Sequence, residues 1–282
     1  MTDAGVFGPD TVTWQLHADP AMWVAGIASL HLQALHPRAV AGVVQNSRFQ
    51  ADPLGRLLRT SGFVGVSTYG TREEVERAAA RVRRVHRVLT AVDRRDGSTI
   101  RLDEPDLLRW VHCAEVAMFA AVVRRAGFPL TDRLCDRYFD EQRRSAALVG
   151  LDPADVPGSR REMAAYFAEV RPQLRRTADA DLVRRFLHHP FTGARAWPVN
   201  LGYRPVGHLA YSALPGWARR LHGQRAYPGA ATTAGLVALR SAGLAIPAEL
   251  RRRKPHGQLH RAVRRLGPGA VPSARRLSRL GG

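Results

Sequence analysis

The stretch that decides the fold is Thr71-Arg72-Glu73-Glu74-Val75-Glu76-Arg77-Ala78-Ala79-Ala80-Arg81-Val82-Arg83-Arg84-Val85-His86-Arg87-Val88-Leu89. Thr71 and Glu74 have the spacing of a capping box: the threonine oxygen accepts a free backbone N–H of the first turn, and the glutamate reaches back to the cap. Val75, Ala79, Val82, His86 and Leu89 then recur at steps of three or four, the period of a helix buried along one face. Arginines, among them Arg81, Arg83 and Arg84, occupy the flanks, so His86 falls inside the apolar stripe. Asp96-Gly97 marks the turn that follows.

The neighbouring segment repeats the design. Asp103-Glu104-Pro105 places acids at a positive helix end and proline in the first turn. Leu107-Leu108-Arg109-Trp110-Val111-His112 and Glu115-Val116-Ala117-Met118-Phe119 follow, with Leu108, Val111, His112, Glu115 and Phe119 on one face. Further out, Asp19-Pro20 opens an apolar helix that stops at Pro37, and further helices are read from about Ala39 and from Leu54 to Tyr69. Thr131 opens another that ends at Gly150, and Ser159-Arg160-Arg161-Glu162 reads as a second capping box. Helical pieces are expected near 181–188, 203–214 and 231–243, and alternating strand-like runs are nearly absent. The pattern is that of an all-α, single globular multi-helix domain over residues 1–250. Residues 251–282, with Arg251-Arg252-Arg253-Lys254 and little apolar periodicity after Leu266, read as a basic C-terminal surface helix and mobile tail.

Charge is distributed unevenly. The 282 residues carry 43 Lys+Arg against 24 Asp+Glu, a net +19. Residues 1–181 hold 25 basic and 23 acidic side chains, whereas residues 182–282 hold 18 basic side chains and one acid, Glu249. No recognition helix gathers these charges and no aromatics alternate with them, so nucleic acid is an unlikely partner; a peripheral contact with anionic membrane fits better. Cys113 and Cys135 form neither a CxxC nor a CxxCH pattern, which excludes a cysteine-built zinc site and a covalent c-type haem. Unbridged thiols, together with a start lacking the pattern of a secretory signal, point to a cytoplasmic protein. The P-loop, dinucleotide-binding, nucleophile-elbow and zincin motifs are missing from the sequence.

Two histidines remain as chemistry. His86 and His112 lie on the apolar faces of consecutive capped helices, which as antiparallel neighbours would bring those faces together. Two imidazoles in an apolar interior can ligate a metal, flank a haem iron, act as acid and base, or simply hydrogen-bond a carbonyl or Glu115. Spacing alone leaves these alternatives open. An H-x-x-E pattern at His112 and Glu115 lacks the partners a di-iron bundle needs. His256 with His260 reads as a solvated pair, and His188-His189 as a helix end meeting the dipole.

In order along the chain come Leu32-Gln33-Ala34-Leu35-His36-Pro37; Phe49-Gln50-Ala51-Asp52-Pro53 with Arg56, Leu57 and Thr60; and Tyr69-Gly70-Thr71 leading to Arg81-Val82-Arg83-Arg84-Val85-His86. Then follow Asp103-Glu104-Pro105 leading to Trp110-Val111-His112, Pro129-Leu130-Thr131 with Tyr138-Phe139-Asp140-Glu141, and Leu148-Val149-Gly150-Leu151. This order resembles the oxygenase MpaB family, which also contains the catalytic domain of the rubber oxygenase latex-clearing protein. The resemblance implies an all-helical fold holding haem b, an iron cofactor, between helices, and dioxygen-dependent cleavage of carbon–carbon double bonds in isoprenoid chains. By position it implies His112 as the axial metal ligand, Trp110, Val111 and Arg81 as cofactor-binding neighbours, and His86 with Arg83 or Arg84 as catalytic groups. The partners implied are O2, a small apolar substrate and an electron donor; the alternative is a non-catalytic haem- or lipid-binding protein with both axial positions occupied.

Overall fold

A computed structural model describes residues 3–46, 53–191, 197–253 and 257–281, with side chains omitted for 53–60. Ser47-Arg48, Phe49-Gln50-Ala51-Asp52, Lys254 and His256 therefore lie outside the described residues, as do the side chains of Arg56, Leu57 and Thr60. The described residues form α1 (Val12–His17), α2 (Met22–Gln33), α3 (Pro37–Asn46), α4 (Pro53–Tyr69), α5 (Arg72–Val88), α6 (Pro105–Arg125), α7 (Asp132–Val149) and α8 (Arg160–Val170). They continue with α9 (Ala178–His188), α10 (Trp197–Ser212), α11 (Gly216–His222), α12 (Gly229–Ala245), α13 (Ala248–Arg253), α14 (Gln258–Leu266) and α15 (Ala274–Leu280). The all-α expectation holds.

The pair α2 and α6 forms the centre, and it is the most extensive helix contact in the molecule. Val24, Ala25, Ala28 and Leu32 of α2 are fully buried, as are Trp110, Cys113, Ala114 and Val123 of α6. A helix apolar on every face has to be surrounded, and α9, α10 and α6 do this for α2. Trp110 fixes the register: its Nε1–H donates to Gln33 O at 3.0 Å, and its ring meets Phe167 of α8 at 6.1 Å.

Capping reads off the sequence with one exception. Thr71 and Glu74 form the full capping box of α5. Thr131 caps α7, and Gly150 ends that helix at φ 100°, a left-handed value that glycine adopts without a Cβ penalty. Ser159 caps α8, but Glu162 bypasses the cap nitrogen and instead accepts from Gly158 N at 2.8 Å and from Arg143 at 3.1 Å. Arg143 competes for that carboxylate and draws it outward.

Three differences from the sequence reading have physical causes. The segment around Asp96-Gly97 is a small hairpin, β1 (Thr90–Val92) and β2 (Thr99–Arg101), antiparallel with Ala91 opposite Ile100. Three residues a side, each with one buried position, are too short to register as alternation. Pro37 does not merely stop α2 but occupies the first turn of α3, where its missing N–H costs nothing. Residues 257–281, read as a surface helix and mobile tail, are packed on the body. Ala262, Ala270 and Leu277 are buried, Ser273 N donates to Gln15 Oε1 at 2.8 Å, and Arg276 pairs with Asp10.

Helix α1 is held by a buried carboxylate. Glu141 of α7 accepts from Val12 N at 3.0 Å, from Thr13 N at 2.8 Å and from the Thr13 hydroxyl at 2.9 Å, and pairs with Arg137 at 3.1 Å. These are charge-assisted bonds to the free N–H groups of a helix start. Glu141→Gln is expected to cost about 2 kcal/mol, because the neutral amide turns donors toward donors. Urea denaturation, with an unchanged slope and a lowered midpoint, is the check.

Candidate functional site

Helices α5 and α6 do not meet face to face. The former packs on α4 and α7, the latter on α2 and α7, and the two make at most marginal contact with each other. The hairpin between them spreads them apart, so the expected apposition of their apolar faces becomes two faces separated across α7. His86 lies in the last turn of α5, half-buried, with Nδ1 shielded from solvent and without a hydrogen-bond partner. His112, on the α6 face away from α2, likewise has Nε2 buried and unpartnered. Burial lowers the affinity of both rings for a proton, that of His112 to a pKa of about 4, while Asp103 opposes the shift at His86. Both are thus neutral imidazoles with an unused ring nitrogen, the form that ligates metals.

A polar chain runs beside His112. Glu115, one turn along α6, has its carboxyl pushed up to about 7 by burial. It acts electrostatically on Tyr138 of α7, whose hydroxyl lies 3.0 Å from His17 Nε2. His17 Nδ1 is 2.8 Å from the Thr68 hydroxyl, which itself donates to Val64 O at 2.8 Å. Since the carbonyl can only accept, hydroxyl accounting fixes the tautomer: His17 donates from Nδ1 to Thr68 and accepts at Nε2 from Tyr138. Phe119 closes the site with its ring 5.6 Å from His17. Helices α1, α4 and α7 therefore supply one buried hydrogen-bonded chain, Tyr138–His17–Thr68–Val64, with Glu115 of α6 acting on it electrostatically, while His112 Nε2 on the same helix has no partner.

The remaining sequence-chosen residues take other positions. Arg83 is half-buried and committed to structure, donating to Leu148 O at 3.0 Å and to Glu76 at 2.6 Å. Arg81 and Arg84 are exposed. Trp110 sits roughly 200° around α6 from His112, given about 100° per residue, and faces α2 and α8. Val111 faces Leu30, Ala34, Val40 and Phe186, again toward the α2 side. Cys113 and Cys135 are free and buried, their thiols pushed up to about 12 and about 11 by burial, so neither is a thiolate.

A second array escaped the sequence reading. His31, fully buried in α2, lies with its ring 5.4 Å from His188, 5.6 Å from Tyr211 and 6.3 Å from His222. His188, read as a histidine meeting a helix dipole, instead bonds through Nδ1 to Arg184 O at 2.9 Å and contacts His208 at 5.7 Å. These residues come from four helices far apart in sequence, and no local spacing announces them. His260, read as solvated, lies 2.9 Å from Glu249. Among the described residues no group of three or more His, Cys, Asp or Glu side chains is arranged to hold a metal ion.

Residues 14–248 match the family described as ER-bound oxygenase mpaB/B'/Rubber oxygenase, catalytic domain. The chain belongs to that family. Comparison with curated proteins and with solved structures finds no match. The family is an oxygenase catalytic domain, which assigns this chain a general oxygenase role and implies an organic substrate and O2. The matched span takes in both histidines, the polar chain at Glu115, and the cluster around His31. Among the described residues no helix is long and apolar enough to cross a membrane.

Proposed function

We propose that the chain is a haem b-dependent oxygenase acting with O2 on a small apolar, isoprenoid-like alkene. The observation that carries this reading is the buried, unpartnered Nε2 of His112. Isolating a buried polar atom from any partner costs about 1–3 kcal/mol, and ligation is the use that repays it. His112 would hold the iron through that nitrogen, and the cofactor would supply binding and activation of dioxygen. The protein's own part is to orient and to exclude water. Glu115, its carboxyl pushed up to about 7 by burial, is only about half ionised near neutrality and so places less than a full negative charge on the His112 face of α6. Tyr138 has its hydroxyl proton directed at His17 Nε2, and Phe119 packs its ring edge-on against that of His17. His86 would contribute its unpartnered Nδ1 from α5, on the far side of α7 from His112. Arg83, tied to the end of α7, positions that helix end, and the solvent-facing Arg81 and Arg84 take no role at the reacting atoms.

The second reading, a haem- or lipid-binding protein without catalysis, is favoured by one observation: His86 Nδ1 is also buried and unpartnered, a second ring nitrogen that could ligate. The absorption spectrum of the purified, haem-loaded chain decides between them. A Soret band whose reduced form shifts on adding CO supports the oxygenase, because it requires an open coordination position. A six-coordinate spectrum unmoved by CO supports the binding protein, and failure to take up haem ends both. The cytoplasmic placement, the electron donor and the contact with anionic membrane belong to the same reading and rest on the sequence arguments alone.

A further inference from the structure

A cavity of about 890 Å³ lies away from His112, between α9, α10 and the segment after α11. Four guanidiniums line it, those of Arg184, Arg185, Arg204 and Arg225, and none of its lining residues is acidic. Asp181 is held by Arg176 at 2.9 Å and reaches Arg184 at 3.5 Å. Arg184 Nε is itself buried without a hydrogen-bond partner. At the inner end His188, His208 and Tyr211 form the wall. Behind them stands His31, with both ring nitrogens buried and unpartnered. Among the described residues Arg184 is ion-paired with Asp181, whereas Arg185, Arg204 and Arg225 have no carboxylate partner, so the positive charge of the concavity is only partly offset.

We infer that this pocket binds a small, multiply charged oxyanion of the diphosphate class. Guanidinium forks match phosphate oxygens bidentately, and several around one concavity select for more than one charge. The volume exceeds what an inorganic ion fills and leaves room for an organic remainder against Leu182 and Phe186. The histidines add a dependence on pH. His188 donates Nδ1–H to Arg184 O, so protonation adds its second donor at Nε2. His222 donates Nε2–H to His31 O at 3.0 Å, which leaves its Nδ1 unpartnered.

Burial, and then the surrounding positive groups, hold His31 and His188 below the usual imidazole range. His208 and His222 are lowered in the same way, with Asp181 opposing the shift at His222. The groups facing this cluster are Arg184, Arg185, His189 and Asp181 from α9, Arg204 from α10, and Arg176 and Arg225 from the adjoining segments. An entering anion favours the charged imidazoles, so their proton affinity rises on binding and binding strengthens as pH falls through the neutral range.

Calorimetric titration of the full chain with inorganic diphosphate at constant ionic strength is the test. The expected result is saturable binding, about ten-fold tighter at pH 6 than at pH 8, as uptake of one proton across part of that range gives. The exposed pair Arg204→Gln with Arg225→Gln should weaken binding at least about ten-fold with an unchanged melting temperature, since each loses a charge-assisted bond to the anion. His188→Gln should flatten the pH dependence, whereas Arg275→Gln with Arg279→Gln on α15 should leave binding intact. Absence of heat at millimolar diphosphate overturns the site. So does equal weakening by the α15 pair, which would mark a generic surface charge effect, and citrate binding as tightly as diphosphate overturns the ligand class. The site uses none of the residues assigned to haem, so its failure leaves that reading untouched.

Discussion

His112→Ala is expected to yield a chain that no longer retains haem, with the Soret band reduced at least about ten-fold against an equal load of wild type, because the axial bond is the anchor of a b-type cofactor. The cofactor-free protein should meanwhile melt close to wild type. Truncating a buried side chain of this size opens a cavity, which costs about 2–3 kcal/mol. In the same stroke the variant removes a ring nitrogen that is buried without a partner, a burden of about 1–3 kcal/mol in the folded state. The two terms nearly offset. A core histidine satisfied by a carbonyl would behave oppositely, losing its bond and its packing together and leaving the carbonyl unpaired. The pairing of a lost Soret band with an almost unmoved melt is therefore specific to a ligand. External imidazole added to a His112→Gly chain should restore the band, since it refills the same space with the same nitrogen. An unchanged Soret intensity in either variant would remove His112 from the site.

What the sequence displays and what it hides divide along one line. Signals carried within a turn or two of helix are legible: the Thr71–Glu74 box, the Thr131 and Ser159 caps, Gly150, and the apolar stripes that single out His86 and His112. Signals that need the fold are not. The stripe of α5 predicts that one face is buried, but not that it is buried on α4 and α7 in place of α6. Trp110 beside His112 in the chain implies proximity, yet helical geometry sends the two side chains to opposite sides. The partners of His17, which are Thr68 and Tyr138, lie 51 and 121 residues away. The cluster around His31 draws on α2, α9, α10 and α11, and only their packing assembles it.

Charge shows the same limit. The arginines of the last third suggest an external partner when counted, but several are structural tethers. Arg240 holds buried Asp19 at 2.8 Å, Arg251 donates to Leu244 O at 2.7 Å, and Arg265 donates to Asp3 O at 3.0 Å and to Tyr69 O at 2.9 Å. A guanidinium satisfies free backbone carbonyls as readily as phosphates, and composition cannot distinguish the two uses.

Trp14→Ala is expected to release residues 257–270 from the body while the α2–α6 core stays folded. Trp14 is fully buried, its ring edge-on to Tyr69 at 4.8 Å, and it forms with Ala262 and Ala270 an apolar cluster separate from the main core. Its Nε1–H donates to Ala270 O at 2.9 Å, and its own carbonyl accepts from the Tyr69 hydroxyl at 3.1 Å. Removing the indole forfeits roughly 3–5 kcal/mol of packing and leaves a buried carbonyl unpaired. Helix α14 has few other apolar contacts to draw on, since Leu259, Val263 and Leu266 are only partly buried around the same ring, whereas α15 packs Leu277 and Leu280 on the main core. The loss therefore falls locally, and limited proteolysis should cut within α14 at protease levels that leave wild type whole, with the far-UV helical signal of the body retained. Trp14→Phe keeps most of the packing and gives up one hydrogen bond, so about 1 kcal/mol and no new cleavage are expected. If Trp14→Ala melts the whole chain in a single transition with no early cleavage, the C-terminal helices are part of the one cooperative core. Their arginine tethers to Asp3 and Tyr69 would then carry more of the docking than the indole does.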